Sequence, residues 1–161
     1  CMHTNLDAAE GGVNDVLAQK LGLEELMPLT EEKIGRIGTL KCEMPLVEFT
    51  RFVIESLGCN GLRYTDCGKP VHRVAVGGGA CGDYIPQAIA AGCDTFVTAD
   101  LRYHDFLDTT ELHLIDAGHF PTEDVICETL VAYLQRAFPT AIVMKTAAHD
   151  CETIQYCIKE K

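Results

Sequence analysis

The 161-residue sequence lacks any apolar run near the roughly 20 residues that span a bilayer, which excludes a helical membrane crossing within it. It is also poor in basic residues. Thirteen Lys and Arg stand against 24 Asp and Glu, a net charge of −11, and no basic patch offers the phosphate-neutralising surface that nucleic acid requires. Nine cysteines contain no C-x-x-C pair, and an odd count at positions such as Cys93 and Cys127, inside apolar stretches, argues against a disulfide framework or a zinc–cysteine cluster. Reduced thiols in a reducing compartment follow from that placement. The first residues carry no secretory pattern, so a cytoplasmic protein is expected. Repeats and low-complexity tracts are absent.

What is present is a chain that alternates strand and helix patterns. Helices are expected from Gly12 or Asn14 to Leu21, stopped by Gly22, and from Pro45 to Leu57, closed by Gly58. Further helices are expected through Ile85, Ala88, Ile89 and Ala90 to Gly92, as a short helix to Asp108 after the polar segment Ala99 to Asp105, and from Pro121 to Leu134. Strands are expected at Ile34–Leu40, Leu62–Thr65, Val71–Val76, Asp94–Thr98 and Leu112–Asp116, with a short extended piece at Leu26–Leu29. Cys1 to Asp7 has a polar end that could close a strand, Ala141–Lys145 reads as a late strand, and Thr153–Ile158 as an alternating strand or tail. One α/β domain over residues 1–161 with a largely parallel sheet is therefore expected.

Two loops invite a ligand. Gly77-Gly78-Gly79-Ala80-Cys81-Gly82 lies between a strand and a helix, where bare backbone N–H groups can hold an anion. It follows neither the G-x-G-x-x-G nor the G-K-[ST] pattern, so a tight turn that lets the helix pack closely is the preferred account of it over a nucleotide cradle. Asp100 to Asp105 follows another strand, and open α/β sheets place their sites at carboxyl ends, so His104 and Asp105 are candidates against the alternative of a surface loop with a helix cap. His72, on a strand with apolar neighbours, reads as structural.

The densest chemistry lies in Asp116-Ala117-Gly118-His119-Phe120-Pro121-Thr122-Glu123. His119 and Glu123 are four apart, so on a helix starting near His119 both leave from one face, about 5–6 Å apart at Cβ. An imidazole and a carboxylate so placed suit zinc, manganese or iron, and a carboxylate can bridge two ions. The alternative is an acid favoured by the helix N-terminus beside an ordinary loop histidine. Asp7, His104 with Asp105, and His119 with Glu123 would occupy three strand ends whose convergence favours the metal.

Three ordered blocks, His3-Thr4-Asn5-Leu6-Asp7-Ala8-Ala9-Glu10-Gly11-Gly12-Val13-Asn14-Asp15, Thr98-Ala99-Asp100-Leu101-Arg102-Tyr103-His104-Asp105, and Asp116 to Glu123, resemble the signature segments of the NIF-three-like proteins, also called GTP cyclohydrolase I type 2 homologs or dinuclear metal centre proteins. The resemblance implies a two-lobed α/β fold, two divalent metals per complete subunit, and a cytosolic homohexamer. It also implies Asp7, His119 and Glu123 as ligands, with Glu123 bridging. The family's adjacent histidine pair has no counterpart here, and the chain opens on Cys1, so an N-terminal part is expected to be missing and metal occupancy of this chain alone to be low. Function is expected to be metal-dependent hydrolysis of a nucleotide or phosphoester, with His104 as proton carrier. The alternative is a non-enzymatic, ring-forming metal-binding scaffold or regulatory protein.

Overall fold

The computed structural model describes residues 3–146 and 154–156. Six strands form one sheet: β1 (Glu24–Pro28), β2 (Arg36–Met44), β3 (Arg63–Tyr64), β4 (Val71–Val76), β5 (Thr95–Thr98) and β6 (His113–Asp116), in the order β1-β2-β4-β5-β6-β3. The centre, β4-β5-β6, is parallel, while β1, β2 and β3 join their neighbours antiparallel. The helices are α1 (Asn5–Ala8), α2 (Val13–Lys20), α3 (Leu46–Leu57), α4 (Ile85–Ala90), α5 (Tyr103–Asp108), α6 (His119–Asp124) and α7 (Ile126–Ala137).

Burial explains the apolar runs. Every residue of β5 and β6 is buried, because a helix layer covers each face of the sheet centre. On one face Leu17 and Leu21 beside α2, and Phe49 and Val53 of α3, pack on Val74, Val76, Val97 and Ile115. On the other, Ile85 and Ala88 of α4 pack with Ala75, Phe96 and Leu114. Phe96 is fully buried, and its truncation to Ala would cost about 3–5 kcal/mol. Helix α3 is stopped by Gly58, whose φ of 67° is the left-handed conformation that ends helices.

The expected strands at the sheet centre and the expected helices are all found, with three differences elsewhere. Asn5–Ala8 is a helical turn rather than the end of a strand: the Ala8 N–H bonds Thr4 O at 3.2 Å, and no strand lies alongside to pair with it. Ala141–Lys145 is irregular and mostly exposed; its apolar residues Ile142 and Met144 lie outside both core clusters. Of the expected Thr153–Ile158 element, only residues 154–156 are described, and these are irregular; the remainder lies outside the described residues. No described helix is long and apolar enough to cross a membrane, and no disulfide joins the six described cysteines, Cys42, Cys59, Cys67, Cys81, Cys93 and Cys127.

Candidate functional site

The carboxyl ends of β4, β5 and β6 are followed by Gly77–Gly82, Ala99–Arg102 and Ala117–Gly118, and these loops are laced together by their own backbones. Gly77 N–H bonds Val97 O at 2.9 Å, Ala99 N–H bonds Gly79 O at 3.0 Å, and Ala117 N–H bonds Thr98 O at 2.9 Å. Asp116, at the end of β6, accepts from Leu101 N–H at 3.1 Å and from Gly118 N–H at 3.1 Å, and pairs with Arg63. The parallel register thus continues as a network past the last strand residues.

Helix α6 starts at His119, so the four-residue spacing to Glu123 does place both on one face. His119 Nε2 lies 3.3 Å from Glu123 Oε1, and its Nδ1 lies 2.6 Å from Asp100 Oδ2. The hydrogen bond to Asp100 holds the His119 pKa above the ordinary imidazole value, with charge from Glu123 and Asp100 adding to it and burial opposing. Asp100 itself has a φ of 55°, a left-handed conformation that Asp tolerates better than most side chains.

The glycine loop makes room for this pair. Gly79, at φ 66°, sits so close that a Cβ there would stand 2.5 Å from Glu123 Oε1 and 3.1 Å from His119 Nε2. Its N–H is taken by Thr122 Oγ1 at 3.0 Å, Gly78 N–H by Asn14 Oδ1 at 2.9 Å, and Cys81 N–H by Thr98 Oγ1 at 3.1 Å. With these donors spent inside the protein, the loop is a close-approach turn and not an anion cradle.

Asp7 reaches the same region through α1. Its carbonyl accepts from Asn14 Nδ2 at 3.0 Å, and Asp7, His3, Leu6, Val13, Phe120, Glu123 and Asp124 are among the residues lining one cleft of about 360 Å³. Burial pushes the Asp7 carboxyl up from its ordinary value, partly offset by His3. Both acids act on Cys81 nearby: burial first, then the charge of Asp7 and more weakly that of Glu123, raise its thiol to about 11.

Two ligands about 2.0–2.2 Å from one tetrahedral ion stand roughly 3.3–3.6 Å apart. The His119–Glu123 separation of 3.3 Å falls in that range. A carboxylate on the far ring nitrogen is also the usual support of a ligating histidine. Among the described residues, however, no group of three His, Cys, Asp or Glu side chains is arranged to hold an ion. The residues present therefore fit one edge of a metal site, the His119–Glu123 pair, of which Glu123 shares a cleft with Asp7.

His104 is not brought there. It is exposed on α5, edge-on to Tyr103, and lines a separate opening with Gly82, Asp83 and Arg102. The proton-carrier role requires reach to the His119–Glu123 pair, and within this chain His104 lines an opening to which neither residue belongs. Asp105 is a helix cap: it accepts from Arg102 N–H at 2.7 Å and binds the Arg102 guanidinium, which holds its carboxyl below the usual range. His113 and His72 are remote from the pair; His113 is buried against Lys69 O at 2.9 Å and Cys67 N–H at 3.1 Å. Sequence reasoning missed Asp100, Asn14 and Thr122. The signal for Asp100 was its position directly after β5, in the same segment that pointed to His104.

Comparison with known proteins places this geometry in context. Residues 1–153 match the family model described as Duf34/NIF3 (NGG1p interacting factor 3). A GTP cyclohydrolase 1 type 2 homolog of Nostoc sp. is 34% identical over 142 residues, 83% of this chain and 54% of that protein. A homolog of the same name from Clostridium acetobutylicum is 38% identical over 133 residues, covering 75% of this chain and 49% of its own length. The chain thus spans about half the length of the curated relatives it matches. Among solved structures, a Thermus thermophilus protein matches with a TM-score of 0.72 at 29% identity, over 85% of this chain and 55% of that one. A hypothetical protein of Staphylococcus aureus shares the fold with a TM-score of 0.85 at 24% identity, over 97% of this chain and 67% of that one.

Proposed function

The chain belongs to the Duf34/NIF3 family, and from that premise we propose that it carries one side of a divalent-metal centre in a hydrolase acting on a nucleotide or phosphoester. The observation that supports this reading is the 3.3 Å approach of His119 Nε2 to Glu123 Oε1, on a ring whose other nitrogen is held by Asp100. Asp7, His119 and Glu123 are the donors for zinc, manganese or iron. Such ions, when bound, supply hydroxide from water and polarise the scissile group.

The protein's own contribution is placement. Asp100 fixes the His119 ring, the bare Gly79 backbone leaves the space in front of His119 and Glu123 open, and the raised Asp7 marks a partly dehydrated cleft wall. The adjacent histidine pair that the resemblance implies as further ligands has no counterpart in this sequence. A cytosolic setting belongs to the same reading. Zinc titration of the chain beside Glu123→Gln tests it: a weak site lost in the variant supports the donor assignment, and equal binding by both overturns it. Consumption of GTP by the metal-loaded protein then tests the substrate.

A second reading, the ring-forming scaffold without catalysis, is favoured by one observation. Tyr133, Leu134 and Phe138 leave an apolar stripe on and just beyond α7 exposed, a surface suited to self-association into the hexamer that the resemblance implies. Light scattering that finds assemblies, with metal bound and no turnover of nucleotides, would decide for it.

A further inference from the structure

We infer that Asp100 is a positioning residue that fixes the tautomer of His119, keeping the ring proton on Nδ1 so that the Nε2 lone pair faces Glu123. The inference rests on the reading of His119 as a metal donor, and it adds a residue that the signature blocks did not single out for this task. The distances are asymmetric: Nδ1 to Asp100 is 2.6 Å, Nε2 to Glu123 is 3.3 Å. A neutral imidazole carries one N–H, and the shorter, charge-assisted contact takes it. Nε2 and Oε1 are then two acceptors facing each other, an arrangement that is unfavourable until a cation lies between them.

Asp100 is held to this duty from both sides. Ala99 N–H is fixed to Gly79 O at 3.0 Å and Leu101 N–H to Asp116 Oδ2 at 3.1 Å, so the residue between them is kept in its left-handed conformation at φ 55°. A backbone angle of that kind persists only where the surroundings over-determine it. Here the surroundings are the ends of β4 and β6, and the outcome is a carboxylate aimed at one nitrogen of one ring.

Nitrogen-15 spectra of the imidazoles, recorded on the metal-free chain at pH raised until the His119 signals stop shifting, read the tautomer of the neutral ring directly. The wild-type protein should show His119 protonated on Nδ1, and Asp100→Ala should shift it to Nε2. Asp100→Asn, whose amide oxygen still accepts, should restore the Nδ1 form, and this rescue separates positioning from a general loss of structure. Zinc affinity should fall about 10–100-fold in the Ala variant and recover in large part in the Asn variant. An Nε2 proton on His119 in the wild-type chain, or no change in Asp100→Ala, overturns the inference; the wild-type spectrum alone suffices if a variant fails to fold. If Asp100 controls the tautomer but zinc leaves the His119 signals unmoved, the metal reading fails while the assignment of Asp100 stands.

Discussion

Asn14 joins Asp7 to Gly78, the latter 64 residues further along the chain than Asn14: its Oδ1 accepts the Gly78 N–H at 2.9 Å while its Nδ2 donates to Asp7 O at 3.0 Å. The Asn14 side chain is fully buried and so is its bond to Gly78, whose N–H has no water to fall back on. Asn14→Ala leaves one donor and one acceptor unsatisfied and should destabilise the protein by about 1–3 kcal/mol, lowering the thermal midpoint by several degrees. Asn14→Asp should be at least as damaging, because it turns the donor to Asp7 O into a second acceptor. Calorimetry of both variants checks this, and a wild-type midpoint in either contradicts the bridge.

Gly79 and Gly58 form a matched pair of tests. Both have positive φ, 66° and 67°, but a Cβ on Gly58 meets nothing within 4 Å while one on Gly79 runs into Glu123 and His119. Gly58→Ala should therefore cost only the backbone term, roughly 1–2 kcal/mol, and leave zinc binding intact. Gly79→Ala should cost more and should also push the donor pair apart, abolishing detectable zinc uptake. Equal effects of the two substitutions would refute the close approach.

His119 should impose a pH dependence with a definite sign. Its folded pKa is raised, chiefly by the hydrogen bond to Asp100, so the charged pair stabilises the metal-free protein fully below the unfolded value of about 6.5 and loses that contribution as pH rises through the folded value. A metal takes the neutral ring, so zinc affinity should climb over the same interval. An NMR titration locates the midpoint, and Asp100→Asn should bring it down. Zinc binding that is flat between about pH 5 and 8 would contradict the assignment.

Cys81 should be inert despite lying beside the cleft. With its thiol raised to about 11, only ~0.1% is thiolate near pH 8, and the sulfur is buried where it donates to Gly78 O at 3.4 Å. Exposed Cys42 should be alkylated by iodoacetamide well before Cys81 in the folded chain. Mass spectrometry of timed samples reads both. Rapid labelling of Cys81 would mean that the glycine loop opens readily.

The elements that bury a continuous apolar face were legible from pattern alone: β4, β5 and β6, and the amphipathic α3 with Gly58 at its end. The His119–Glu123 pair was legible too, because a helix fixes where two residues four apart must point. Asp100 was not, since its role depends on a left-handed backbone angle and on a histidine 19 residues later. Asn14 read as a helix start because nothing local reveals that a side chain bridges to a loop 64 residues away. Ala141–Lys145 carried a strand pattern, yet no strand forms among those residues; alternation shows only that a segment could pair, not that a partner exists.

The backbone bonds that carry the sheet's register beyond Val76, Thr98 and Asp116 have one more effect. Amide protons at Gly77, Ala99 and Ala117 are tied to neighbouring strand ends or loops, so the backbone behind His119 and Glu123 loosens only when the middle of the sheet does. Hydrogen exchange at those three amides should therefore be as slow as in the central strands.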